Sequence, residues 1–382
     1  METNQQQAAT ASQRLVSLDA YRGIVMFVLA GTGFGLAQAA EKMPLNGFMQ
    51  FLKFHTTHPD WNSQVGIVGF SLWDMIQPAF MFIVGVSLPY SNAKRVQRGD
   101  AFGKRLGHVL IRAATLVLLG VFLSSLWKSE TNWIFTNVLC QIGLGYGFLF
   151  LLAGRSFRLQ AVIGVSLLLL YWILLLIFPL DAASGTAHFS NGSSMPQQVD
   201  IWFLNLFPRS KVFIGNAYAT LNFVPSLVTM LLGLMSGQLL MNEQISADKK
   251  VRRLLAGGLF CLVLGVTWSF LGCPIVKKLW TPSWTLFSGA FVIWLLALLY
   301  LIVDIRGWKR WTFPFVVVGM NPITMYFMSM TMRPWVRDAL KRHLPDALFA
   351  HPFGSVVEAC LVLLVFWLIV YWMYRKRVFI RI

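Results

Sequence analysis

Five stretches of the 382-residue chain hold side chains able to do chemistry. In SLDAYRG (17–23), Asp19 and Arg22 are three apart and share a face if the segment is helical. They form either an interfacial ion pair that anchors a helix or an entrance where Arg22 meets an anionic ligand. FHTTHPDWN (54–62) crowds His55, His58 and Asp60 beside Trp61 and Asn62. Histidine, with an ordinary pKa of about 6.5, can take a proton at neutral pH. Two His three apart also permit metal binding, but only the distant His188, His343 or His351 could complete a zinc set, and no metal is expected. An indole to stack on a ring and an amide to bond hydroxyls make Trp61 and Asn62 candidates for binding a sugar.

Asp74 follows in SLWDMIQPAFMFIVG. It is expected about eight residues into an apolar run, roughly 12 Å along a helix axis. A carboxylate at that depth must be paired, protonated or facing a watery cavity, so it is a functional candidate. Pro78, one turn on, would free a carbonyl and favour a kink. In TNVLCQIGLGYG (136–147), Asn137 and Gln141 are four apart and would present two amides on one helical face, to a neighbouring helix or to a ligand. In PFVVVGMNPITMYF (314–327), Asn321-Pro322 predicts a broken helix, with Asn321 and Tyr326 toward a cavity. Gly233 and Gly237, in small-xxx-small spacing, predict close helix packing.

The elements that must position these residues are long apolar runs. The chain is 57% apolar and 14% aromatic, with 15 Trp and 31 Phe, and only 12% charged. Soluble domains carry about a quarter charged residues. An ordinary soluble enzyme, a disordered chain and a coiled coil are therefore excluded. The fold class is all-α, a polytopic transmembrane bundle. About 20 apolar residues make a span, which gives about 10 spans: 20–40, 66–90, 107–126, 133–153, 160–179, 223–242, 254–273, 283–304, 312–332 and 355–374. The segments 41–65 and 199–222 are too polar to span and aromatic enough to lie at an interface.

Net charge is +17, from 32 basic and 15 acidic residues. The basic residues punctuate the apolar runs, so no nucleic acid is expected as a partner. With the N-terminus in the cytoplasm, 21 of them fall on inside segments and 11 outside, which favours N- and C-termini both cytoplasmic. The loop 333–354 is unusually basic for an outside segment. Residues 1–16 read as a polar cytoplasmic tail with no cleaved signal peptide. Residues 180–222 read as a long extracytoplasmic loop with an aromatic surface or re-entrant stretch. The whole of 1–382 reads as one transmembrane domain. Cys140, Cys261, Cys273 and Cys360 show no metal spacing and are expected to be buried thiols.

Taken in order, RLVSLDAYRGI, HPDWN with LWDMIQPAFMFIVGVSL, NVLCQIGLGY, PSLVTMLLGLMSG, LWTPSWTLFSGAF and PFVVVGMNPITMY cover nearly the whole chain. Each is weak alone, but the ordered set is specific. The set resembles the heparan-α-glucosaminide N-acetyltransferase family. Those membrane enzymes move an acetyl group from cytosolic acetyl-CoA to an amino sugar on the far side. The resemblance implies that His58 is the catalytic histidine, as general base or transient acetyl carrier, and that Asp74 orients it. It also implies acetyl-CoA as co-substrate, threading past Arg22, Asn137, Gln141, Asn321 and Tyr326, and a glucosamine-type acceptor near Trp61 and Asn62.

The animal enzymes have a large luminal domain before their membrane part. Without it, the chain resembles a bacterial member, and a place in the bacterial inner membrane follows. Where the family often shows Leu-Gln-Arg, this chain has Leu139-Cys140-Gln141-Ile142, which weakens any phosphate contact there. The Gly-rich faces would suit a homodimer. The residues alone also fit an inner-membrane transporter for an amino sugar or its N-acetyl form, since an acid within a span and a broken helix serve transport equally well.

Overall fold

The computed structural model describes residues 15–59, 70–177 and 187–380. Among these the regular structure is entirely helical. The first expected span is a bent pair: α1 (Val16–Ala30) and a second segment, Thr32–Glu41, that contains α2 (Leu36–Glu41), at 45°. The bend sits at Gly33 and Gly35, both with positive φ, a conformation glycine adopts without steric cost. Then comes α3 (Gly47–Thr56), too short to span, with Phe48 and Phe51 exposed. Asn46 caps it by accepting from Met49 N–H at 3.1 Å.

Next are α4 (Ile76–Gln97), α5 (Phe102–Ser125), α6 (Val138–Leu152) and α7 (Phe157–Ile177). A short helix, α8 (Met195–Leu204), lies in the expected loop 180–222 and exposes Trp202. It is followed by α9 (Phe223–Met241), α10 (Ala247–Phe270) and α11 (Pro282–Leu299). A second bent pair, α12 (Phe313–Met320) and α13 (Pro322–Thr331), turns by 70° at Asn321-Pro322. The chain closes with α14 (Arg333–His343), the short α15 (Ala347–Ala350) and α16 (Gly354–Arg375).

Seven of these elements are single helices long and apolar enough to cross a membrane, and up to nine spans result if each bent pair counts as one. The remaining expected span, 133–153, contains α6, which has only 15 residues, about 22 Å at 1.5 Å per residue. That is short of a hydrocarbon core of about 30 Å. Each of the ten apolar runs thus meets a helix or bent pair, although their count as spans differs. The protein is a multi-pass helical membrane protein.

The most buried candidate spans are Thr220–Met241, which contains α9, and Pro282–Ile305, which contains α11. Lipid tails are as apolar as Leu, so helices associate through close packing at small residues. The α4–α9 contact shows this plainly. A Cβ on Gly233 would stand 2.0 Å from Phe82 O, and one on Gly85 would stand 1.9 Å from Met230 O. Gly237 approaches Val86 O in the same way, at 2.4 Å. The spacing of Gly233 and Gly237 therefore packs helices, as expected. Cys140, Cys261 and Cys273 are buried as expected, but Cys360, on α16, is exposed.

Candidate functional site

The site forms at the N-terminal end of α4. Ser71 and Asp74 build a capping box around a single 3-10 turn, Leu72–Met75. Asp74 N–H donates to Ser71 Oγ and Ser71 N–H donates to Asp74 Oδ2, both at 3.3 Å. Asp74 therefore lies in the first turn of the candidate span Leu72–Gln97 and not about 12 Å inside it, a correction to the sequence expectation. The carboxylate satisfies the orphan N–H groups of a helix start. Pro78 falls in the first turn of α4, and Leu72–Gln97 runs on as one span without a break there.

His58 follows α3 by two residues, and Ser71 holds its segment in place: Ser71 Oγ donates to Thr57 O at 2.6 Å. The imidazole Nδ1 lies 2.6 Å from Asp74 Oδ1. A third residue, Lys277, enters from the loop between α10 and α11. Its Nζ donates to Asp74 Oδ1 at 2.9 Å and stands 3.2 Å from His58 Nδ1. The Asp74 and Lys277 side chains are 4% and 7% exposed, whereas that of His58 is 45% exposed.

Protonation states follow from the bonding. Asp74 accepts at both oxygens and is the acceptor of the cluster. With Asp74 ionised beside Lys277, the 2.6 Å contact is a hydrogen bond donated by His58 Nδ1–H. Nε2 is then the ring nitrogen that carries the lone pair. Burial lowers the Lys277 ammonium from the ordinary lysine value, opposed by the Asp74 charge. Its Nζ also lies 5.7 Å from the centre of the Tyr218 ring, and burial raises the Tyr218 phenol.

Sequence reading missed Lys277. It is 203 residues from Asp74 and sits in VKK between apolar runs, where it reads as a boundary marker. Asp200 was also missed. It is buried on α8, and its Oδ2 accepts from Thr220 N–H at 2.8 Å. Burial pushes its carboxyl up to about 6 despite that bond.

The other expected site residues lie apart from this cluster. Arg22 donates to Asp19 Oδ1 at 3.0 Å and also to Ser87 Oγ, tying α1 to α4. Asn137 is not on a shared helical face with Gln141. It is the N-cap of α6, accepting from Leu139 and Cys140 N–H, and its amide donates to Gly120 O and Ser124 Oγ. Gln141, fully buried, donates to Phe135 O at 2.9 Å and Thr220 O at 3.1 Å. Asn321 is engaged by the chain's C-terminal segment: it donates to Val378 O at 3.1 Å and accepts from Ile380 N–H at 3.0 Å. These amides stand where a cap, a loop or a bend leaves backbone groups unpaired, so the fold itself engages them. Tyr326 is half-buried and packs against the cores formed by α6 and α16. Trp61 and Asn62, with Asp60, lie outside the described residues.

His55 does not join the cluster. Its Nδ1 accepts from Leu72 N–H at 3.4 Å, and its ring packs 4.5 Å from that of Phe51. Among the described residues no three His, Cys, Asp or Glu side chains converge as a metal would require. At the far end of α4, Pro89, Asn92, Gly154, Gln238 and Asn242 line an open cavity of about 290 Å³. Arg105 donates to Asn92 Oδ1 there at 2.8 Å.

The fold and this cluster define a multi-pass helical membrane protein with a buried acid and lysine gripping an accessible histidine. No protein-family model matches the chain. It is similar to the heparan-alpha-glucosaminide N-acetyltransferase of Mus musculus, 23% identical over 430 aligned positions that cover 98% of this chain and 61% of that protein. The protein of the same name from Homo sapiens is 24% identical, with 97% and 60% covered. The chain thus spans about three fifths of the length of these relatives.

Proposed function

We propose that the protein is a transmembrane acyltransferase that moves an acetyl group from acetyl-CoA to the amine of an amino sugar. The single observation that carries this reading is the His58–Asp74 contact at 2.6 Å, at the mouth of a candidate span, with the histidine accessible and the acid buried. The similarity to two proteins named for N-acetyl transfer to a glucosaminide supports the chemistry.

A neutral amine attacks a thioester through its lone pair and sheds a proton as the C–N bond forms, and a positioned base accepts that proton. His58 Nε2 takes the proton, and Asp74 holds Nδ1–H and stabilises the imidazolium. The C–N bond forms, the C–S bond breaks, and CoA leaves as a thiolate that takes the proton back from the imidazolium. Asp74 is anchored through the capping box, so the imidazole is held in one tautomer and orientation.

The bias of 21 basic residues against 11 supports both termini in the cytoplasm and His58 on the opposite side, an arrangement in which the short α6 also crosses, with the bilayer thinned around it. The donor would then enter from the cytoplasmic face, to which the same orientation assigns the cavity beside Arg105. Trp61 and Asn62 are proposed to hold the acceptor. Purified protein supplied with acetyl-labelled acetyl-CoA and glucosamine should give labelled N-acetylglucosamine, and His58→Ala should abolish it. Uptake of labelled amino sugar into proteoliposomes without acetyl-CoA, and no acetylated product, would overturn the reading in favour of transport.

A further inference from the structure

Lys277 sits in a loop built to hold it. Its own carbonyl accepts from Trp280 N–H at 2.8 Å. Trp280 is fully buried and has φ +51°, a left-handed conformation that a bulky side chain rarely adopts and that surrounding structure must enforce. Thr281 Oγ and Ser283 Oγ each donate to Pro274 O at 2.8 Å. Asn222 Nδ2 grips Lys278 O at 2.8 Å, and Tyr171 OH donates to Leu279 O at 3.0 Å. Three helices and a strained turn thus fix the backbone on both sides of one buried lysine.

We propose that Lys277 is a positioning residue for His58: its ammonium converges with His58 Nδ1–H on a single oxygen of Asp74, fixing the tautomer that leaves Nε2 free, while its charge opposes the imidazolium. The role in catalysis rests on the acyltransferase reading. The geometry behind it does not.

The two donors are 3.2 Å apart, and both aim at Asp74 Oδ1. An ammonium has no acceptor, so it cannot pair with Nδ1–H and can only share the carboxylate with it. Asp74 and Lys277 together are neutral, so a proton gained by His58 adds net charge beside an existing cation. A like charge at this range disfavours the charged form. Lys277 therefore offsets the Asp74 charge that would otherwise favour the imidazolium. Among the described residues, the other titratable groups facing the trio are the Tyr218 phenol, next to Lys277, and His55, engaged by Leu72 N–H. Lys278 follows in the chain.

The test reads His58 directly. Full-length protein in nanodiscs is treated with diethyl pyrocarbonate across pH 5–8, and modification of His58 is followed by mass spectrometry. In Lys277→Met the midpoint of the modification profile should rise by about one pH unit. Lys277→Gln, which keeps a donor without the charge, should rise likewise, and Lys277→Arg should stay with the wild type. Coincident profiles for Met, Gln and wild type would overturn the proposal, whatever the activity. The expected shift in a protein with no acetyl transfer would leave Lys277 in its role and sink the acyltransferase reading instead.

Discussion

Ser71 and Asp74 hold each other through their backbones. Each side chain accepts the other's N–H at 3.3 Å, so one oxygen of Asp74 is committed to the turn and the other faces His58 and Lys277. Ser71 then reaches back to Thr57 O at 2.6 Å, one residue before the histidine. Ser71→Ala removes the two bonds its hydroxyl makes, to Asp74 N–H and Thr57 O, and keeps the one from its backbone N–H. It should cost about 1 kcal/mol of stability, as lost caps do, and lower kcat about tenfold through a misplaced base. Steady-state acetyl transfer with thermal unfolding in detergent checks both.

His58 and His55 should separate cleanly. His58→Ala removes the proton acceptor and should lower kcat by about 10²–10⁴-fold. His55→Ala loses one long bond to Leu72 N–H and a ring contact with Phe51, and should change kcat less than about threefold. Parallel assays of the two variants check this, and equal losses would remove the distinction drawn from the geometry.

Asp200 gives a pH dependence of stability. Its folded value, raised to about 6 by burial, lies above the ordinary 3.8. The folded state therefore binds the proton more tightly, and this contribution is complete below pH 3.8 and lost as pH rises through 6. A shift of this size corresponds to about 3 kcal/mol. Melting temperature should fall from pH 4 to pH 7, and Asp200→Asn should flatten that part of the profile.

Gly85→Ala and Gly233→Ala place a Cβ within 2 Å of a backbone carbonyl of the facing helix. Each should destabilise by about 3 kcal/mol or more, since backbone cannot move aside as a flexible side chain can. Gly257→Ala, in α10 with nothing within 4 Å, should be neutral or stabilising by up to about 1 kcal/mol. Yield and melting temperature of the three variants check the contrast.

The helices were legible because apolar runs of span length are a one-dimensional signal. The break at Asn321-Pro322 and the glycine spacing of α9 were legible for the same reason: local chemistry dictates them. His58 and Asp74 stood out as ionisable residues close together in an apolar sequence. Lys277 did not, because its partner is 203 residues away and a lysine between spans is ordinary. Asn137, Gln141 and Asn321 drew attention as polar residues in apolar helices. Their bonds go to carbonyls left open by caps and bends, which depend on helix ends that periodicity places only within a few residues. The depth of Asp74 was misjudged for that reason, since the helix starts at the residue that caps it.

The close approach of α4 to α9 has a mechanical consequence. Two backbones in contact at Gly85 and Gly233 leave no compliant layer between the helices, so the helix that carries Asp74 is clamped to one of the most buried spans of the bundle. The carboxylate is therefore the stationary reference of the site. Compliance resides with His58, delivered on the segment after the short helix α3 and nearly half open to its surroundings. A substrate that needs a fraction of an ångström of accommodation will obtain it by moving the base and not the acid.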